Sequence, residues 1–105
     1  MLSQSDIDFI KDRLVKKFKP KKIFLFGSQA RSEANYHSDV DLLILMDLNG
    51  NRRLLTVEID NALRGFRLAK DIIILTPEEY ERDKFISGTI ARYTYLEGKV
   101  IYESK

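Results

Sequence analysis

The sequence contains no cysteine and a single histidine, His37, among its 105 residues. The absence of cysteine excludes a disulfide framework and a thiolate metal site, and one histidine is too few for a histidine-rich zinc site. No apolar run approaches the roughly 20 residues of a transmembrane helix. The N-terminus also lacks the basic start and apolar stretch of a signal peptide. We therefore expect a cytoplasmic protein with no membrane partner.

An excess of charge of either sign is also lacking. The 18 basic residues nearly balance the 16 acidic residues, which leaves a net charge of +2. Because the net charge is so small, we expect no direct binding of nucleic acid. No internal repeat or low-complexity segment divides the chain. Its length fits one domain, so we expect residues 1–105 to form a single domain.

Hydrophobic periodicity predicts two helices in the first two thirds of the chain. Apolar residues at helical spacing over residues 7–18 indicate a first helix, capped by Ser5 and Asp6 and ended by Pro20. A second helix is predicted over residues 54–66, after a turn signal of the form Asn-Gly-Asn.

The remaining pattern adds one more helix and four strands. Thr76 and Pro77 are typical of a helix start, and we expect this helix to reach residues 93–96 and to close at Gly98. Short apolar runs predict strands, the second of them central in its sheet, at residues 23–26, 39–46, 72–75 and 100–102. The alternation predicts an α/β or α+β fold, with a small sheet covered by helices.

Two aspartates stand at the head of the second predicted strand. Side chains alternate across a strand, so Asp39 and Asp41 point to one face, roughly 7 Å apart at the backbone. Such carboxylates repel unless a cation lies between them, and Mg²⁺ prefers carboxylate oxygens. Asp71 heads the next strand; if the strands are neighbours, three carboxylates can hold two metal ions for displacement at phosphorus. Taken singly, these acids are also consistent with solvated strand starts.

Gly27 and Ser28 directly follow the first predicted strand, and residues 28–38 are predicted to form a short helical turn and a loop. Backbone N–H groups at a helix start suit phosphate. Glycine lets the backbone approach a ligand closely, and serine adds a hydroxyl donor. On its own, however, a Gly-Ser pair is more often a tight turn with a serine cap.

The combination is more specific than its parts. A Gly-Ser pair, ten intervening residues and Asp-x-Asp resemble the signature of the DNA polymerase β-like nucleotidyltransferase superfamily. The strings GSQAR at residues 27–31 and SDVDL at residues 38–42 are similar to its minimal nucleotidyltransferase (MNT) branch, the antitoxins of HEPN/MNT toxin–antitoxin pairs. The resemblance covers most of the chain, including the preceding helix, Asp71 and the GKVIY string at residues 98–102.

The resemblance implies a polymerase β-like core and a Mg²⁺-dependent adenylyltransferase. Gly27 and Ser28 would hold the β- and γ-phosphates of ATP. Asp39, Asp41 and Asp71 would be the catalytic residues and bind two Mg²⁺ ions, and Asp71 would also help to activate the attacking hydroxyl. AMP would pass from ATP to a tyrosine of a HEPN-domain toxin and neutralise it, with release of pyrophosphate. Either a homodimer or a hetero-oligomer with the toxin fits this interpretation.

The sequence leaves two other functions open. One is a non-catalytic antitoxin that inhibits its partner by occlusion; the other is a nucleotidyltransferase of small molecules, similar to the aminoglycoside enzymes. The complete set of carboxylates favours an active enzyme. The short chain leaves little room for an acceptor domain, which favours a protein acceptor over a small molecule.

Three further residues lie between the glycine and the acidic pair. Arg31 is a candidate nucleotide-binding residue. It either reaches a phosphate or pairs with an acid and fixes the loop. Ser32 stands where the family usually has glycine, so the course of the phosphate loop departs from the family pattern. His37 is interpreted as a solvated loop histidine.

Two other groups permit both a functional and a structural interpretation. Five lysines around Pro20 either steer a triphosphate or form a solvated helix end, which is the more common case; they are Lys16, Lys17, Lys19, Lys21 and Lys22. Three tyrosines near the C-terminus either belong to a partner surface or are partly buried; they are Tyr93, Tyr95 and Tyr102.

Overall fold

The computed structural model describes residues 2–27 and 39–105. The predicted helical turn and loop at residues 28–38 therefore lie outside the described residues. The elements in the described ranges are, in chain order, α1 Gln4–Phe18, β1 Lys22–Phe26, β2 Val40–Leu45, α2 Arg52–Ala62, β3 Lys70–Leu75, α3 Pro77–Asp83, α4 Ile90–Glu97 and β4 Lys99–Glu103.

The strands form one mixed sheet with the order β3-β2-β1-β4. β1 is antiparallel to both β2 and β4, whereas β2 and β3 are parallel. The predicted α+β class is confirmed. The prediction that the second strand is central is also confirmed, because β2 lies between β1 and β3.

Helices cover both faces of the sheet and divide the core into two clusters. On one face, α1 and α2 pack against alternate residues of the inner strands, including Leu42 and Ile44. On the other face, α3 and α4 pack against the residues between them, including Leu43 and Leu45. Burial on both sides explains why β2 is almost continuously apolar.

The start of α1 differs from the prediction. Ser3, rather than Ser5, is the N-cap: its hydroxyl accepts a hydrogen bond from Asp6 N, and the Asp6 carboxylate accepts one from Ser3 N. This capping box places Asp6 at the third helical position, where it satisfies a free backbone donor. The predicted end is confirmed, since α1 stops at Phe18, two residues before Pro20.

The prediction of one long helix after β3 was wrong. Thr76 caps α3 with a capping box and Pro77 occupies its first turn, as expected, but α3 ends at Asp83. The chain turns through Gly88, which has a φ of +88°, and Thr89 then caps α4 by accepting a hydrogen bond from Arg92 N. A left-handed residue followed by a capping threonine restarts the helix in a new direction.

The second helix is shorter than predicted. α2 begins after Asn51, whose side chain caps it by accepting from Leu54 N, and it ends at Ala62 rather than near Phe66. Phe66 lies in the connection to β3 and packs on the ring of Phe9 at a centroid distance of 5.7 Å. Among the described residues, no helix combines the length and apolar character required to cross a bilayer.

Candidate active site

Three carboxylates lie at one end of the sheet. Asp41 is the second residue of β2 and pairs in register with Asp71 on the parallel neighbour β3. Asp39 precedes β2 by one residue, so alternation directs it to the same side as Asp41 and Leu43, the side covered by α3 and α4. The conditional prediction that the strands of Asp41 and Asp71 are neighbours is confirmed.

Burial and like charges act together on Asp41. Desolvation by burial, the negative charges of Asp71 and Asp39, and a side-chain hydrogen bond with Asp71 all raise the pKa of Asp41. Each of these influences disfavours the ionised form. The carboxyl group of Asp41 therefore lies where positive charge would be strongly stabilised.

Gly27 closes the site from the side of β1. It follows Phe26, which is the register partner of Asp41 in the antiparallel pair, and its φ of +77° lies in the left-handed region. A Cβ atom at this position would overlap the Asp41 carboxylate. Glycine is thus required twice, once for the backbone angle and once for the close approach of the carboxylate.

The donor chemistry of the three aspartates suits a hard cation such as Mg²⁺, which prefers carboxylate oxygens. The side chains themselves are not gathered around a common point: within the described ranges, no group of three or more His, Cys, Asp or Glu side chains is arranged to hold a metal ion. Asp41 and Asp71 are instead hydrogen-bonded to each other. A divalent cation between the two carboxylates would remove the repulsion between their charges.

A cleft of about 530 Å³ opens beside the carboxylates. Its volume lies in the range of small-molecule sites. Asp41, Asp71 and Gly27 form one end. The rest of the described wall is apolar or aromatic, and its residues are Phe26, Ile72, Ile73, Ile90 and Tyr93.

A second cleft, of about 330 Å³, lies at the other end of β2, where residues 46–51 lead into α2. Asp47 and Glu58 line it, but neither is the register partner of another acid in the sheet. The cleft beside Asp41 is the better candidate, because among the described residues it joins an apolar wall to two acids that are paired in register.

The sequence did not indicate four of the five residues of the apolar wall and left the fifth undecided. The sequence prediction assigns Phe26, Ile72 and Ile73 only to strands, and it places Ile90 inside the helix wrongly extended from Pro77. Tyr93 was weighed as a partner contact or a partly buried side chain. The Gly-Thr pair at residues 88 and 89 is the sequence signal for a new helix start. Because Ile90 and Tyr93 belong to that helix, the same signal indicates the position of the wall.

Two predicted site residues, Ser28 and Arg31, lie outside the described residues, and so do Ser32 and His37. The lysines around Pro20 are placed away from the carboxylates. Lys22 begins β1 and pairs with Leu45 at the end of β2, so a strand length separates it from Gly27. Lys70, next to Asp71 in sequence, instead forms an ion pair with Asp60 of α2 at 3.3 Å.

Comparisons with solved structures agree with this architecture. The chain is similar to the crystal structure of a toxin–antitoxin with AMP-PNP, at 22% identity and a TM-score of 0.58, over 99% of this chain and 76% of the other. It is also similar to two mutant forms of the toxin–antitoxin MntA-HpeT, at 18% and 15% identity with TM-scores of 0.64 and 0.65, over 100% of this chain and 76% of the others. At such identities the likeness establishes the fold.

No curated protein matches the chain significantly. The profile of the family described as "Nucleotidyltransferase domain", by contrast, matches residues 7–101, nearly the whole sequence. The matched region contains the register-paired carboxylates and Gly27. The chain therefore belongs to the nucleotidyltransferase domain family.

Proposed function

We propose that this nucleotidyltransferase transfers AMP from ATP to a tyrosine hydroxyl of a HEPN-domain toxin, with Mg²⁺ as cofactor, and so acts as an antitoxin. The observation that carries the proposal is the register of Asp41 with Asp71, beside Asp39 and Gly27, in a chain of this family. Metal-assisted transfer at phosphorus requires carboxylates that converge from rigid strands.

The reaction joins the acceptor oxygen to the α-phosphorus and breaks the bond between the α- and β-phosphates, so that pyrophosphate leaves. In this proposal Asp39, Asp41 and Asp71 hold two Mg²⁺ ions, which supply neutralisation of the phosphate charge. Asp71 also accepts the hydroxyl proton. It is the more exposed member of the register pair, since Asp71 is exposed and Asp41 half-buried, and an approaching acceptor reaches it first.

The phosphates occupy the side of the site formed by β1. Gly27 brings its backbone close to Asp41, so a triphosphate there lies next to the proposed metal ligands. Ser28 would add a hydroxyl and Arg31 a positive charge from the segment that follows. ATP as donor is supported by the similar toxin–antitoxin, whose crystal structure is with AMP-PNP.

A protein acceptor is supported by exposed apolar side chains in the α3–α4 region. Four large apolar side chains of the α3–α4 region are about half exposed or more; they are Phe85, Ile86, Tyr95 and Leu96. Exposed apolar groups that lie close together are typical of protein contact sites. The similar structures are toxin–antitoxins, which is consistent with a stable complex between this chain and its toxin.

The proposal is tested with the purified chain, its partner toxin, ATP and Mg²⁺. We expect one AMP to be added to a tyrosine of the partner, measured by intact mass and peptide mapping, and to be absent with Asp39→Asn. A partner of unchanged mass with the wild-type chain would overturn it. Neutralisation of the toxin by an Asp39→Ala, Asp41→Ala double variant would indicate inhibition by occlusion instead.

A further inference from the structure

The cleft beside the carboxylates has two chemically different ends. Asp41, Asp71 and Gly27 form the polar end, where the proposed function places the metal ions and phosphates. Of the other described lining residues, only Tyr93 carries a polar side-chain atom. A single molecule that fills the cleft must therefore combine an anionic part with a flat or apolar part.

The described residues cover the apolar end of the cleft incompletely. On β3, Ile74 is buried against α1 and α2, with 2% of its surface exposed. Its neighbour Ile73 points towards α3 and α4 and is only half-buried. The α4 residues Ile90 and Tyr93 are half-buried as well. These side chains leave apolar surface open towards the cleft, and a bound ring would complete its burial.

The Tyr93 ring is held in a fixed relation to the carboxylates. It packs edge-to-face on Phe26, with ring centroids 6.1 Å apart and an interplanar angle of 74°. Phe26 is the register partner of Asp41. The N-cap hydrogen bond from Arg92 N to Thr89 fixes the turn of α4 that precedes Tyr93. The aromatic wall is thus positioned against β1, which pairs with the strand that carries Asp41.

We infer that Tyr93, supported by Ile90, forms the surface on which the base of the donor nucleotide stacks. The inference rests on the proposed function for the identity of the donor. A nucleoside triphosphate has the required combination of an anionic end and a flat ring, and aromatic side chains bind bases through their faces. Tyr93 is accordingly a binding residue for the base, and the acceptor approaches from the open side of the cleft at Asp71.

Calorimetric titration with two probes tests this assignment. ATP carries a base, whereas inorganic tripolyphosphate presents only the anionic part; both are titrated in the presence of Mg²⁺. We expect Tyr93→Ala to weaken ATP binding about tenfold and to leave tripolyphosphate binding within about twofold. Tyr93→Phe keeps the ring and should bind ATP as the wild type does. Tyr102→Ala removes the same side chain from a half-buried position on the opposite face of the sheet and serves as the matched control.

A loss of folding in Tyr93→Ala would show as a loss of both affinities and a lowered melting temperature. Tyr93→Leu then carries the test, because it keeps apolar volume and removes the ring; it should still weaken ATP selectively. ATP affinity unchanged in Tyr93→Ala or Tyr93→Leu would overturn the inference. So would a raised KM for the acceptor with unchanged ATP affinity, which would assign the wall to the acceptor.

The two proposals fail separately. Selective weakening of ATP by Tyr93→Ala without transfer of AMP to any partner would support the base site and contradict the proposed transferase function. Transfer of AMP with equal ATP affinity in wild type and Tyr93→Ala would support the proposed transferase function and contradict the base site. A wild-type chain that binds neither ATP nor tripolyphosphate would overturn both.

Discussion

Asp6 is buried and Asp41 half-buried, on opposite faces of the sheet, and their pKa values move in opposite directions. Asp6 accepts two hydrogen bonds from Arg67, at 3.0 and 2.7 Å, and one from Ser3 N. These lower its pKa to about 2, chiefly through the Arg67 hydrogen bonds. Asp41 faces Asp71 and Asp39, and burial together with these two acids raises its pKa.

The difference separates an acid that stabilises the fold from one that we propose binds a ligand. The chain supplies Asp6 with its own cation, so the charge is balanced within the native structure. Among the described residues, the charged neighbours of Asp41 are carboxylates. Clustered acids on rigid strands cost stability, and a cation brought with the substrate would offset that cost. The comparison thus supports the assignment of Asp41 to a metal site.

The strongest test is the substitution Asp41→Asn. We expect AMP transfer to fall about 1,000-fold or more, because a metal ligand that contributes several kcal/mol to the transition state is lost. Without divalent cations, the melting temperature should not fall, since the variant removes a charge that burial and its neighbours disfavour. Transfer is measured by intact mass of the partner, and stability by thermal unfolding.

A large loss of stability in Asp41→Asn, comparable to that of a structural ion pair, would contradict the distinction between the two acids. Asp71→Asn is the companion variant on the neighbouring strand. It should also lose transfer, and it should likewise keep the fold.

The second test is Gly27→Ala, with Gly65→Ala as its matched control. Both glycines have a positive φ, +77° and +94°, but a Cβ at Gly65 meets nothing within 4 Å, whereas one at Gly27 overlaps the Asp41 carboxylate. We expect both variants to lose about 1–2 kcal/mol of stability from the backbone angle. Only Gly27→Ala should also lose transfer, by about 10- to 100-fold, because the carboxylate is displaced.

Urea unfolding and the transfer assay together decide this prediction. Equal transfer rates in the two glycine variants would show that the close approach of Gly27 to Asp41 is not required for chemistry. The contact between Gly27 and Asp41 would then give no support to the assignment of Asp41 as a metal ligand.

The carboxylates at the sheet end were predictable from sequence because they follow from local rules. Alternation along β2 places Asp39 and Asp41 on one side, whatever the surrounding fold. The position of Asp71 required the strands to be neighbours, which depends on the parallel pairing of β2 and β3. No local pattern states which strands pair, so the sequence left their pairing as a condition, and the parallel register of β2 and β3 meets it.

The apolar end of the cleft was not predictable in the same way. It depends on where α4 begins, and apolar spacing from Pro77 onwards permitted one continuous helix. Gly88 and Thr89 interrupt that helix through backbone conformation and capping, which are weaker signals than periodicity. The prediction of where α1 starts was wrong for a related reason. Two serines compete as N-cap, and Arg67, the ion-pair partner of Asp6, is distant in sequence.

The third test is Asp6→Asn, which removes the carboxylate charge that Arg67 balances. The lowering of the pKa from its ordinary value of 3.8 to about 2 corresponds to at most roughly 2.5 kcal/mol. The Arg67 side chain is 50% exposed, so screening reduces this to about 1–2 kcal/mol. We expect that loss of unfolding free energy at neutral pH, and no change in the rate of AMP transfer.

The stabilisation of the native state by Asp6 depends on pH. A carboxyl group whose pKa is lowered on folding stabilises the native state above its unfolded value, and the contribution disappears as the pH falls through the folded value. The difference in stability between wild type and Asp6→Asn should therefore be constant above about pH 5 and shrink between about pH 4 and 2. A difference that persists unchanged at pH 2, measured by urea unfolding, would contradict the ion-pair explanation.

The smallest effect is expected for the lysines near Pro20, which are the other candidates to supply positive charge to the acids. Lys22 lies at the opposite end of β1 from Gly27, and Lys16 and Lys17 belong to the last turn of α1. We expect a Lys16→Ala, Lys17→Ala variant to change transfer by less than about twofold at physiological salt, because charges beyond about 8 Å are largely screened there. Rates measured at low and physiological ionic strength test this directly. A large loss that persists at high salt would place these lysines at the nucleotide, and Asp41 would then have a cation from its own chain, as Asp6 has.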